Sequence, residues 1–173
     1  RDINKKVIKK ILHIGLPSGF QYFFEVGAFS MASVIIGWIG TDELAAHQIA
    51  INLASITYMV ALGISAASSI RVGNSVGRKS KNEVRKAGFS AFILIASFET
   101  VTGIIFIVLR DFFPVLYIDD SSVITIASLL LVVAAIFQIS DGLQAVGLGV
   151  LRGMADVKVP TLATFFAYWI VGL

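Results

Sequence analysis

The chain has 173 residues, of which 57% are hydrophobic and 14% charged, against roughly 25% charged in a typical soluble domain. It has no cysteine, which excludes disulfides and thiolate metal sites. The formal charge of +3 points to no nucleic-acid partner, because membrane topology accounts for the basic residues.

The charges cluster in short segments between long apolar stretches, each stretch long enough to cross a bilayer as a helix of about 20 residues. The predicted architecture is therefore all-α, a polytopic transmembrane bundle. Residues 1–15 form a cytoplasmic amphipathic linker. Residues 16–173 form the transmembrane part, with spans at about 16–39, 44–70, 87–109, 123–150 and 160–173, the last one truncated. The start at Arg1 and the stop at Leu173 inside an apolar run read as a piece of a longer protein. No internal repeat is visible. Pro17 and Pro160 open spans and Pro114 falls in a loop, so no span is expected to carry an internal proline.

In the linker, Lys5, Lys6, Lys9 and Lys10 alternate with Val7, Ile8, Ile11 and Leu12. That spacing suits a basic helix on the inner leaflet, although lysines that only obey topology would look the same. The segments 1–15, 71–86 and 151–159 hold thirteen of the fourteen Lys and Arg residues, and only Arg110 lies on the other side. The positive-inside rule makes these three segments cytoplasmic. Asp42, Glu43, Asp111, Asp119 and Asp120 then face outward.

Three acids fall inside spans: Glu25, Glu99 and Asp141. An ionised carboxylate at mid-bilayer costs at least about 2.5–3.5 kcal/mol, so each needs a cavity, a partner, a cation or a proton. Glu25 and Asp141 both lie nine residues from the cytoplasmic ends of their spans, about 13–14 Å deep. Acids at matched depth on different helices can share one cation or proton. Gln21 sits one turn below Glu25, and Gln138 and Gln144 flank Asp141 on one stripe. Glu99, with Ser97 and Thr100 beside it, is equally well explained as a locally bonded acid. Gln48, Asn52 and Ser55 form a polar stripe on the second span, lining a cavity or packing on a helix. His47 reads as a helix-end hydrogen bonder. Ala145, Gly149 and Gly153 form a small-residue seam for close helix packing. No phosphate loop, metal triad or nucleophile–base pair is present, so the chain is not an enzyme and has no cofactor. Any work is driven by an ion gradient or is passive.

These residues resemble a known family. Gly15-Leu16-Pro17-Ser18-Gly19 followed by Phe23-Phe24-Glu25-Val26 looks like the seventh helix of multidrug and toxic compound extrusion (MATE) transporters of the NorM type. The run from Ala45 to Ser55 resembles the start of the eighth, and Ser69 to Asn74 its cytoplasmic exit. Phe137 to Gln144, then Gly149 to Gly153 and Asp156, resemble the tenth helix and its following loop. The pieces occur in the family's order over nearly the whole chain. The resemblance implies the second six-helix lobe of a twelve-helix antiporter in the plasma membrane (the bacterial inner membrane). Such a protein exports cationic or amphipathic drugs against Na+ or H+. Its partners would be the drug, the coupling cation, the bilayer and an amino-terminal lobe. It places the cation-coupling pair, and any Na+ site, on Glu25 and Asp141, with Gln21, Asn52, Phe137, Gln138 and Gln144 as cavity or supporting residues. Phe137 departs from the pattern of some Na+-coupled members, which carry a tyrosine there. An ion- or proton-conducting subunit and a lipid-flipping relative are the alternatives.

Overall fold

A computed structural model describes residues 5–171. Residues 1–4 of the linker and residues 172–173 of the fifth span lie outside the described residues, as do the side chains of Lys5, Lys6, Val7, Lys10, Val159 and Val171. The fold is all-α, with no strand among the described residues. The helices are α1 (Lys5–Ile39), α2 (Thr41–Gly77), α3 (Lys81–Val108), α4 (Ser121–Gly153) and α5 (Lys158–Phe166). A 3-10 turn, Pro114–Leu116, precedes α4, and a π-helical turn, Ala167–Val171, follows α5. Four segments are long and apolar enough to cross a membrane: Ile11–Ile39, Thr41–Gly77, Lys81–Val108 and Ser121–Gly153.

Each turn is built from local chemistry. Gly40 alone, in extended conformation, separates α1 from α2. The ends of α2 and α4 share one device. At α2, Ser80 N–H donates to Ser75 O at 3.1 Å and Lys79 N–H to Val76 O at 2.9 Å. At α4, Asp156 N–H donates to Leu151 O at 3.0 Å and Ala155 N–H to Arg152 O at 2.9 Å. Lys79 (φ 57) and Ala155 (φ 61) hold the left-handed position that such caps require. Asp120 caps α4, its Oδ1 accepting from Ser122 N–H at 2.8 Å. Capping lets the segment 71–86 be mostly helical rather than loop, because α2 runs on to Gly77 and α3 restarts at Lys81.

Pro17 corrects a sequence expectation. It lies inside α1 rather than at the mouth of a span, because linker and first span form one continuous helix. The apolar–basic alternation of the linker has the same helical period as the span, so nothing in it ends the helix. Pro17 withholds a backbone donor from the preceding turn. Around it, Ser18 Oγ donates to Ile14 O at 2.9 Å, and Thr161 Oγ1 donates to Pro17 O at 3.1 Å. Pro160 does sit in the first turn of its helix, as expected.

Helices α2 and α4 form the largest interface, and α3 covers the pair. One apolar cluster gathers Ile49, Leu53, Phe106, Val123 and Leu131; a second gathers Ala61, Ile95, Ala145 and Val146. The seam expected on α4 packs against α2: a Cβ on Gly153 would stand 2.6 Å from Ser69 O, and one on Gly149 would collide with the Ser65 carbonyl. Large apolar side chains such as Phe23, Trp38 and Met59 cover the outer faces, as lipid contact demands.

Candidate functional site

A cavity of about 740 Å³ lies between α1, α2 and α4. α1 contributes Glu25, Phe29, Ser30 and Ser33; α2 contributes His47, Gln48, Ile51, Ser55 and Tyr58; α4 contributes Leu130, Val133, Phe137 and Asp141. Helix direction sets the order within it. Ser33, His47 and Leu130 stand at one end of their respective contributions, and Glu25, Tyr58 and Asp141 stand together at the other. The cavity is therefore apolar along most of its walls, with both carboxyl groups at one end.

Each carboxyl meets a tyrosine hydroxyl from another helix. Tyr58 OH donates to Glu25 Oε1 at 2.6 Å. Tyr168, on the π-helical turn, lies with its hydroxyl 3.5 Å from Asp141 Oδ1, and Gln144 Nε2 donates to Tyr168 OH at 3.1 Å. Beyond that end, Arg152 reaches back from the close of α4. Its guanidinium donates to Tyr22 OH at 3.2 Å and to Gln21 Oε1 at 3.5 Å, and stacks 5.0 Å from the Tyr22 ring centre. A fixed positive charge thus sits below the acids. Gln21 Nε2 and Arg152 Nε are buried without a partner among the described residues.

Not every expected residue reaches the cavity. Glu25, Asp141 and Phe137 line it, Phe137 lying edge-on to Phe29 at 6.2 Å. Gln21 and Gln144 sit behind it, through Arg152 and Tyr168. Gln138 points elsewhere: it is buried at α2–α3–α4, accepting from Thr57 at 3.1 Å and donating to Glu99 O at 3.1 Å. Asn52 turns away as well, accepting from Tyr117 OH at 2.8 Å. The stripe from Gln48 through Ser55 continues to Tyr58 on the cavity wall, while Met59 is exposed. At 3.6 residues per turn, Asn52 and Met59 rotate to the far side of Gln48 while Ile51 and Tyr58 rotate towards the cavity. Glu99 is 1% exposed, touches Gly142 and accepts from Thr102 Oγ1 at 3.4 Å, which fits a locally bonded acid in the α3–α4 interface. His47 Nε2 has no hydrogen-bond partner among the described residues, so the expected helix-end bond through that atom is not made.

Sequence reasoning does not single out Tyr58, Tyr168, the placement of Arg152, or Ser30 and Ser33 of α1. The i+3 companions of the α2 stripe would reveal Tyr58. Nothing local marks Tyr168, which becomes relevant only through the packing of the fifth segment. No group of three or more His, Asp or Glu side chains suited to a metal ion occurs among the described residues.

The family model described as MatE matches residues 17–173. The chain is 39% identical over 166 residues to the probable multidrug resistance protein NorM of Xylella fastidiosa, covering 96% of the chain and 35% of that relative. It is 37% identical over 166 residues to the multidrug resistance protein MdtK of Proteus mirabilis, covering 96% and 36%. It is 38% identical over 164 residues to the multidrug resistance protein NorM of Vibrio vulnificus, covering 95% and 36%. The chain spans about a third of the length of these relatives.

Proposed function

The chain belongs to the MatE family, and on that premise we propose that it is the carboxy-terminal lobe of a secondary transporter that exports cationic or amphipathic drugs against Na+ or H+. The observation that carries this is the cavity with apolar walls and two carboxyl groups gathered at one end. An apolar wall with few placed polar groups suits many hydrophobic ligands rather than one. The acids give a drug cation and a coupling cation a common electrostatic target. Glu25 and Asp141 exchange the coupling ion, Tyr58 and Tyr168 supply hydroxyl oxygens, and Arg152 sets the field from below. The hydroxyl that Phe137 cannot provide comes from these two tyrosines instead.

The test is drug transport by the whole protein in proteoliposomes. An imposed Na+ or H+ gradient should drive saturable drug export, and drug should in turn drive counter-ion movement. Ion flux without drug dependence would favour a conducting subunit. Tyr58→Phe removes the donor to Glu25 while keeping the ring. A hydrogen bond to a charged group contributes about 1.5–3 kcal/mol, so the ion concentration that half-saturates export should shift by at least about tenfold. An unchanged ion dependence would remove Tyr58 from the site.

The membrane orientation follows from the same reading. With the 71–86 and 151–159 segments in the cytoplasm, a cysteine at Asp120 should react with an impermeant thiol reagent added to intact cells, and one at Ser80 should not. Labelling at Ser80 in sealed cells would invert the lobe.

A further inference from the structure

A second cleft, about 920 Å³ in volume, runs between α2 and α3. It shares no lining residue with the carboxylate cavity. Its walls are one helical stripe from each partner. The α2 stripe steps from Ile64 through Arg71 to Arg78, and the α3 stripe from Glu83 through Lys86 to Leu94. The two helices are antiparallel, so chemistry is graded along the cleft. The end nearest the 78–80 turn is polar and the deeper end is apolar.

The charges there do not cancel. Arg78 is engaged by Glu83 at 3.7 Å. Arg71 and Lys86 make no ion pair among the described residues, so each wall of the cleft carries an unneutralised cation, with Asn74 about one turn from Arg71 on α2. Their depth is informative. α2 has 37 residues, about 55 Å of helix, and overshoots a hydrocarbon core of about 30 Å. Arg71, six residues from its end, falls in the headgroup layer. Ile64 and Leu94 lie about 10–12 Å deeper, within reach of acyl chains. Ile70 and Leu94 are 68% and 57% exposed, so the wall is open to a neighbouring chain.

We propose that this cleft holds an anionic phospholipid, with its phosphate on Arg71, Lys86 and Asn74 and an acyl chain along Ile64 and Leu94. Basic pockets between membrane helices are suited to anionic headgroups. The apolar half of the cleft distinguishes a lipid from a free phosphate ion. This assignment is independent of what the carboxylate cavity carries.

Native mass spectrometry of the whole protein, titrated with phosphatidylglycerol, reads the site directly. Wild type should retain phosphatidylglycerol in preference to phosphatidylcholine. Arg71→Gln with Lys86→Gln should weaken retention about thirtyfold, from the loss of two headgroup-level cations. Arg71→Lys alone should keep most of it, which separates lost charge from lost folding. Lys81→Gln with Arg85→Gln removes equal charge outside the cleft and should have little effect. Leu94→Trp, which fills the apolar half, should also release the lipid. Equal loss in the Lys81/Arg85 pair, or equal binding of phosphatidylcholine, overturns the proposal. So does displacement of the lipid by millimolar inorganic phosphate, or full retention by Leu94→Trp, since either makes the cleft a phosphate site alone.

Discussion

Glu25→Gln and Asp141→Asn, each in the whole protein, should abolish gradient-driven export of a cationic drug while inserted protein stays near the wild-type level. Both changes keep side-chain size and most hydrogen bonding. Tyr58 can still donate to the amide oxygen at residue 25, and Tyr168 to that at residue 141. What disappears is a charge at the end of the cavity. With one acid gone, loading or release of the coupling ion no longer changes the field there by the same amount. Coupling is reciprocal, so a drug that expels the ion must itself be expelled by it, by the same factor. A variant that cannot exchange the ion loses both directions together. Drug binding measured at equilibrium should therefore lose its dependence on Na+ or H+, along with transport. Glu99→Gln is the control. Glu99 is buried between α3 and α4 and lines no part of the cavity, so its neutral amide should cost modest stability and leave ion dependence intact. Wild-type export with unchanged ion dependence in both the Glu25 and Asp141 variants would place the coupling site elsewhere in the protein.

The pairing of Glu25 with Asp141 is legible in the amino-acid sequence alone, because it needs only depth. Counting residues from the basic boundary of each span puts both acids at one level, and the rise per residue does the rest. What depth cannot give is azimuth around a helix. Asn52 belongs to the polar stripe read from the sequence and Tyr58 does not, yet the helical period, which sets the two about 120° apart, sends Asn52 to Tyr117 and Tyr58 to Glu25. Arg152 is legible as a topological charge, but its placement under the acids depends on α4 extending to Gly153 and folding its side chain back over Tyr22. Pro17 escapes sequence reasoning for a different reason. A span boundary drawn by hydropathy marks where lysines stop, whereas a helix boundary marks where hydrogen bonds stop. In α1 the two are about a dozen residues apart.

Gly149→Leu should prevent stable folding, and the reason lies in backbone distance rather than chemistry. In a bilayer, apolar side chains gain little by leaving lipid for a helix interface, so association depends on close packing. α2 and α4 achieve it by bringing main chains together along Ala145, Gly149 and Gly153. Ser65 Oγ donates across the contact to Ala145 O at 2.6 Å. Any Cβ at Gly149 meets both the carbonyl and the hydroxyl of Ser65, and backbone cannot rotate away as a side chain can. Alanine there should cost about 1–3 kcal/mol of overpacking. Leucine must in addition separate the helices, breaking the Ser65 bond and opening the largest interface in the lobe. That interface also positions Tyr58 against Asp141's helix, so function would fail with the fold. Gly147, on another face of the same helix, provides the comparison: a Cβ there meets only the Phe92 ring at 3.5 Å, an ordinary contact. Thermal unfolding in detergent should therefore show Gly147→Ala close to wild type and Gly149→Ala lowered, with Gly149→Leu yielding little folded protein. Equal thermal stability of Gly149→Leu and wild type would mean that the α2–α4 contact is not what holds this lobe together.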